Sequence, residues 1–154
     1  MKFVLLSIAV LAMAGQSSSG DVMLIWSKEQ KACGIHNYRP SYNIEVIAGS
    51  DPAAISRRRA EISSAARAAG PGWLWNELVP RDQCVAVAYM QRTIGSCSFR
   101  TYTWEMGADE ALLVSRLQSR VRSTTGVTAA GLEEVRCRGV VLPPRRDTAF
   151  AIRG

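Results

Sequence analysis

Apolar and polar residues alternate along much of this chain, and the places where the period changes divide it into elements. Cys84-Val85-Ala86-Val87-Ala88-Tyr89 switches side-chain size at nearly every step, the two-residue period of a strand. Its alanine face would let a helix approach closely. Tyr42-Asn43-Ile44-Glu45-Val46-Ile47 and Phe99-Arg100-Thr101-Tyr102-Thr103-Trp104 are two further alternating stretches rich in residues that suit a pleated, half-buried surface. A last strand is expected across residues 135–141.

Between these stretches the period lengthens. Residues 52 to about 69 place Ile55, Ile62, Ala66 and Ala69 on one side of a helix, with Asp51 as N-cap, Pro52 behind it and Gly70-Pro71-Gly72 as the stop. Residues 110–122 place Leu113, Val114, Leu117 and Val121 at helical spacing after the N-cap Asp109. Arg116, Arg120 and Arg122 towards its end complement the helix dipole. Each helix is apolar on one side only, so each should lie across a sheet.

Superposing Cys33 on Cys84 aligns Cys33-Gly34-Ile35-His36-Asn37-Tyr38 with the alanine-rich strand, and Cys137 opens a third start, at intervals of 51 and 53 residues. A fixed period signals a repeated supersecondary unit. The expected fold is therefore α+β: two strand-strand-helix repeats, 33–83 and 84–136, forming one antiparallel sheet with the helices on one face, disulfide-linked. These make a single domain over residues 31–141. Residues 73–79, with Trp73 and Trp75, are too short and too aromatic for a linker and are expected to pack onto the core. Residues 142–154 read as a flexible basic tail.

The two ends of composition then place the chain in a compartment. Met1 and Lys2 precede a 12-residue, nearly unbroken apolar run ending Ala12-Met13-Ala14, too short to span a bilayer, which takes about 20 residues. Small residues at the two positions read before a cut make residues 1–14 a cleavable signal peptide, with 15–30 as leader and first segment. No transmembrane segment is expected after cleavage. The net charge of +6 becomes +5 without Lys2 and favours anionic partners or simple solubility.

Cys33, Cys84, Cys97 and Cys137 all survive the cut, and an even number in an exported chain points to two disulfides, with three connectivities open. Structural zinc is excluded as the reading because no C-x-x-C pair exists and there is one histidine. Cys-Val-Ala-Val-Ala-Tyr at 84–89, the aromatic strand ending Tyr102-Thr103-Trp104, the helix opening at residues 107–111 and the closing Cys137 together resemble a family of small exported bacterial domains of unknown function. That family repeats a Cys-x-Ala-x-Ala strand followed by an alanine-rich helix. The resemblance covers residues 33–138 and implies a fold and an export route, with no catalytic residues.

Chemistry-bearing motifs are few. His36 falls in a strand and has no partner at useful spacing, and a general base needs one to orient it. There is no phosphate-binding glycine loop, no H-E-x-x-H and no EF-hand loop, and no cofactor or metal is expected. Glu105 with Asp109 and Glu110, or Glu133 with Glu134, are the carboxylate pairs that a small cell-envelope hydrolase would need; this is the alternative function. The first reading is a non-catalytic macromolecule-binding module, secreted or periplasmic. Its candidate binding residues are Arg57, Arg59, Arg67, Arg116 and Arg120 with Trp73 and Trp75. Arg58, also in the run at 57–59, falls near the apolar side of the helix, where its stem would lie. The partner expected is a protein or an anionic envelope polymer, and not nucleic acid, since no nucleic-acid module is recognisable.

Overall fold

A computed structural model describes residues 22–47, 49, 51–68, 74–137, 140–141 and 149–152. In chain order the elements are β1 (Val22–Ala32), β2 (Ile35–Ile47), α1 (Pro52–Ala68), β3 (Leu74–Val79), β4 (Cys84–Ile94), β5 (Cys97–Gly107), α2 (Glu110–Ser123), β6 (Val127–Cys137) and β7 (Val140–Val141). The fold is α+β, antiparallel and tied by two disulfides, as expected. Residues 1–14, read above as a signal peptide, lie outside the described residues.

The strands form two sheets, β2-β1-β3 and β5-β4-β6-β7, where one was expected. Alternation along a strand fixes which faces are buried, not whether the neighbour lies beside it or above it. Here hairpin β1–β2 lies over hairpin β4–β5. Met23, Ile25, Ile44 and Val79 from the first sheet meet Val85, Val87 and Trp104 from the second in one core cluster. The opposite face of β4, Cys84, Ala86, Ala88 and Met90, packs on Leu113, Leu117 and Val121 of α2, so the alanine face does admit a helix. Buried on both sides, β4 is the centre of the molecule.

The helices therefore do not share a face. α2 covers the outside of the second sheet, and α1 covers the outside of the first, where Arg58 bonds Glu45 of β2 and Arg59 bonds Asn76 of β3. The order of layers is α1, first sheet, second sheet, α2.

The 51-residue superposition of Cys33 on Cys84 does not describe the structure, because Cys33 sits in the β1–β2 turn while Cys84 opens β4. Both sheets nonetheless follow one route: a hairpin, a helix, and a strand returning beside the first strand of the hairpin. Both hairpins turn in two residues. Cys33 and Gly34 have φ of 52° and 77°, the pair of positive values that a type I′ turn needs. Gly95, at φ 61°, opens the other.

The disulfides are Cys33–Cys97 and Cys84–Cys137. The first ties the tips of the two hairpins together. The second joins residues directly opposite in the β4–β6 ladder.

Two ends differ from expectation. β1 starts at Val22, inside the stretch read as leader and first segment, because the run Val22 to Ile25 is buried on both faces and so lacks alternation. In the stretch read as a flexible tail, Phe150 is buried in the α2 core, its N–H donating to the Ala130 carbonyl at 3.0 Å.

Candidate functional site

α1 starts where the sequence places it: the Asp51 carboxylate accepts from the Ala53 N–H at 3.0 Å. Successive side chains then fan out by about 100° each. Arg58 points to the sheet and its guanidinium grips Glu45 at 2.6 and 3.0 Å and Glu61 at 2.9 Å. Those two carboxylates hold Arg58 above its already high ordinary pKa. Arg59 donates to Asn76 at 2.6 Å. Arg57 and Arg67 are exposed, and among the described residues neither has an acceptor.

Beneath the helix, Trp26 and Lys28 from β1 and Arg58, Glu61, Ile62, Ala65 and Ala66 from α1 line a cleft of about 310 Å³. Of the 17 residues of α1 only Ile62 is buried, so the helix stands off the sheet rather than sealing it. This contrasts with α2, where Leu113, Leu117 and Val121 are fully buried. Polar contacts hold α1 in place more than apolar ones do.

The candidate arginines of α2 serve the fold. Arg116 donates to the Met106 carbonyl at 2.7 Å, and Arg120 pairs with Glu105 and reaches the Trp104 carbonyl. Arg122 donates to the Ala151 carbonyl at 3.1 Å. These side chains fasten α2 to β5 and to the C-terminal segment. Since the two helices lie on opposite outer faces, Arg57, Arg59 and Arg67 are not brought together with Arg116 and Arg120. Trp73 lies outside the described residues; Trp75 is placed in β3, opposite Ser27 of β1.

A second polar cluster lies on the inner face of the second sheet. β6 carries an irregularity opposite Val87 and Ala88, which pair with Glu134 and Leu132, leaving Glu133 as the extra residue. Such a bulge turns neighbouring side chains to one face. Glu133 pairs with Arg100 at 2.7 Å and Glu134 with Arg136 at 3.1 Å. Arg100 also lies 4.3 Å from the ring centre of Tyr89 and 5.3 Å from that of Tyr102. Tyr102 packs on Tyr42 with ring centres 5.0 Å apart. The Tyr42 phenol is pushed above its ordinary range, first by burial and then by the charges of Glu134 and Glu133. Arg136 crosses to the first sheet and donates to the Ile44 carbonyl at 3.0 Å.

This geometry bears on the carboxylate pairs. Glu105, Glu133 and Glu134 each face an arginine, and Asp109 accepts from the Leu112 N–H at 2.8 Å as the cap of α2. Each has an internal acceptor role in holding the fold. His36 lies in β2, opposite Lys31. Among the described residues no group of three His, Cys, Asp or Glu side chains could hold a metal ion, and no helix is long and apolar enough to cross a membrane. Both the cleft under α1 and the Tyr–Arg–Glu cluster are missed by sequence reasoning. Leu24, Trp26 and Lys28 do recur at every second position, the one sign that β1 shows a distinct face to α1.

Comparison with family models, with curated proteins and with solved structures finds no match to this chain.

Proposed function

We propose that the protein is an exported, non-catalytic binding module that engages an anionic macromolecule, a protein or an envelope polymer, through the solvent face of α1. The observation that carries this reading is the pair Arg57 and Arg67. Both are exposed cations with no acceptor among the described residues, while Arg58, Arg59, Arg116, Arg120 and Arg122 are all engaged in internal bonds. Ten residues apart, they stand about 15 Å from each other along the helix axis. Both point away from the side that buries Ile62, a spacing suited to an extended polyanion.

Export rests on the apolar segment at 3–14 ending Ala12-Met13-Ala14 and agrees with two disulfides, which persist in oxidising compartments. The resemblance to small exported bacterial domains points the same way. Two disulfides and a central strand buried on both faces give a rigid frame, which lowers the ordering cost of binding.

The test is titration of the mature, oxidised protein with heparin as a model polyanion, at low and moderate salt. Saturable binding that weakens with salt is expected, weaker by tenfold or more in the double variant Arg57→Glu/Arg67→Glu, whose melting temperature should be unchanged. Binding unaffected by the double reversal refutes the assignment of α1.

A further inference from the structure

The side of α1 that faces the first sheet carries a separate inference. We propose that the cleft between α1 and β1 is a binding site for a small amphiphilic acid, an aliphatic chain of about ten carbons bearing a carboxylate. It does not depend on the polyanion reading, since it uses the opposite side of the helix.

Size comes first. The cleft holds about 310 Å³, roughly the room of ten waters at about 30 Å³ each. That places it at the lower end of small-molecule sites, which run from about 300 to 1,000 Å³. A chain of about ten heavy atoms fills it.

Chemistry comes second. Trp26 on one side and Ala65 and Ala66 beside Ile62 on the other supply an apolar wall, and since Ile62 is the single buried residue of α1, the two alanines are not already spent on helix packing. An aliphatic chain laid there would complete the core that α1 lacks. Three charged side chains stand in the lining: Lys28, Arg58 and Glu61. The Arg58 guanidinium is committed to Glu45 and Glu61. Lys28, half-buried in β1, is the cation of the lining with no acceptor among the described residues, so an anionic head group belongs on its ammonium.

A third observation concerns the wall itself. The indole N–H of Trp26 is buried and has no acceptor among the described residues. A buried donor without a partner is costly, and native structures keep few of them. The ring of Trp26 lines the cleft, so a chain laid there shifts the indole resonance while the N–H itself stays shielded.

The experiment uses the mature, oxidised full chain and sodium decanoate held below its micelle concentration, with calorimetry and ¹⁵N-detected indole N–H resonances as readouts. Saturable one-to-one binding with displacement of the Trp26 indole resonance is expected. Lys28→Ala should weaken decanoate at least fivefold while leaving decanol unchanged. Ala66→Phe, which fills the cleft from the helix side, should weaken both at least tenfold. If Ala66→Phe does not fold, Ala65→Phe, at an exposed position lining the same cleft, provides the obstruction. Decanoate binding unaffected by either the lysine or the filling substitution overturns the site, and so does tighter binding of decylammonium. Binding to phosphatidylglycerol vesicles with none to monomeric decanoate assigns the affinity to a lipid surface and also overturns it.

Discussion

Loop-closure entropy makes a sharp statement about the two disulfides. Cys33 and Cys97 are 64 residues apart and Cys84 and Cys137 are 53 apart. In the chain-entropy treatment each closure destabilises the unfolded chain by about 4 kcal/mol, and the difference in loop length separates the two by only about 0.2 kcal/mol. Their surroundings in the folded state are quite different: one links the tips of two hairpins in different sheets, the other lies inside a ladder already held by its backbone bonds. Equal losses on removal would therefore mark an effect on the unfolded chain.

The comparison needs one correction. Cys33 adopts φ 52°, a left-handed conformation that costs an ordinary side chain about 1–2 kcal/mol, so Cys33→Ala would confound strain with cross-linking. Cys33→Asn gives the turn its preferred Asn-Gly sequence. Each pair also contains one buried cysteine, Cys97 or Cys84, but Cys137 packs against the α2 core while Cys33 is exposed, so C84A/C137A carries a small extra packing loss. Urea unfolding of C33N/C97A and of C84A/C137A, extrapolated to water, should show losses of about 4 kcal/mol each, agreeing within about 1 kcal/mol. The slope m should rise in both as the unfolded chain expands. A loss below about 1 kcal/mol for one pair with the full loss for the other would refute the loop-closure account and place the stabilisation in native contacts. Against a total stability of about 5–15 kcal/mol for a domain, either removal is a large fraction.

Further outcomes follow from single positions. Leu117 is fully buried between α2 and β4, so Leu117→Ala should cost about 3–5 kcal/mol in the same unfolding assay, whereas Leu112→Ala, on the exposed face of α2, should cost under about 1 kcal/mol. The Tyr42 phenol is raised in the folded state above its unfolded value of 10.0. Its contribution is complete below that pH and is lost as pH rises past it towards the folded value. Tyr42→Phe should therefore flatten the decline in stability above pH 10.0, measured by urea midpoints; an identical decline in the variant would contradict the burial of that hydroxyl.

Much of the local structure was legible in residue order. α2 was expected over 110–122 and runs Glu110–Ser123, and α1 was expected from Pro52 to about 69 and runs Pro52–Ala68, because caps and breakers act within a few residues of the elements they end. The strands at 84–89, 42–47 and 99–104 lie in β4, β2 and β5 for the same reason. What escaped depends on long-range packing. The run Val22 to Ile25 has no alternation since sheet and helix bury its two faces, and Leu74–Val79 looked like core filler because nothing local says that it pairs with β1.

The candidate site was legible in part. The helical fan of Arg57, Arg58 and Arg59 correctly separated the inward Arg58 from Arg57, but Arg59 found an acceptor in β3. That partner lies 17 residues further on and only the return of the chain brings it close. The pairing of cysteines likewise follows from one hairpin lying over the other, which spacing alone does not encode.

That stacking has a consequence for how the chain can misassemble. Each sheet is built from its own half of the sequence, and the halves are joined by the short stretch 80–83 between β3 and β4. Two copies could therefore exchange halves, each first sheet closing over the second sheet of its neighbour, with the same buried surface and little lost but the intramolecular link. Cys84–Cys137 lies within one half and does nothing to prevent this. Cys33–Cys97 spans both halves and, once closed within one chain, bars the exchange, so C33N/C97A should yield a concentration-dependent dimer on size-exclusion chromatography at concentrations where C84A/C137A yields none. The tip disulfide thus acts as a guard on self-recognition, deciding whether these two stacked hairpins belong to one molecule or to two.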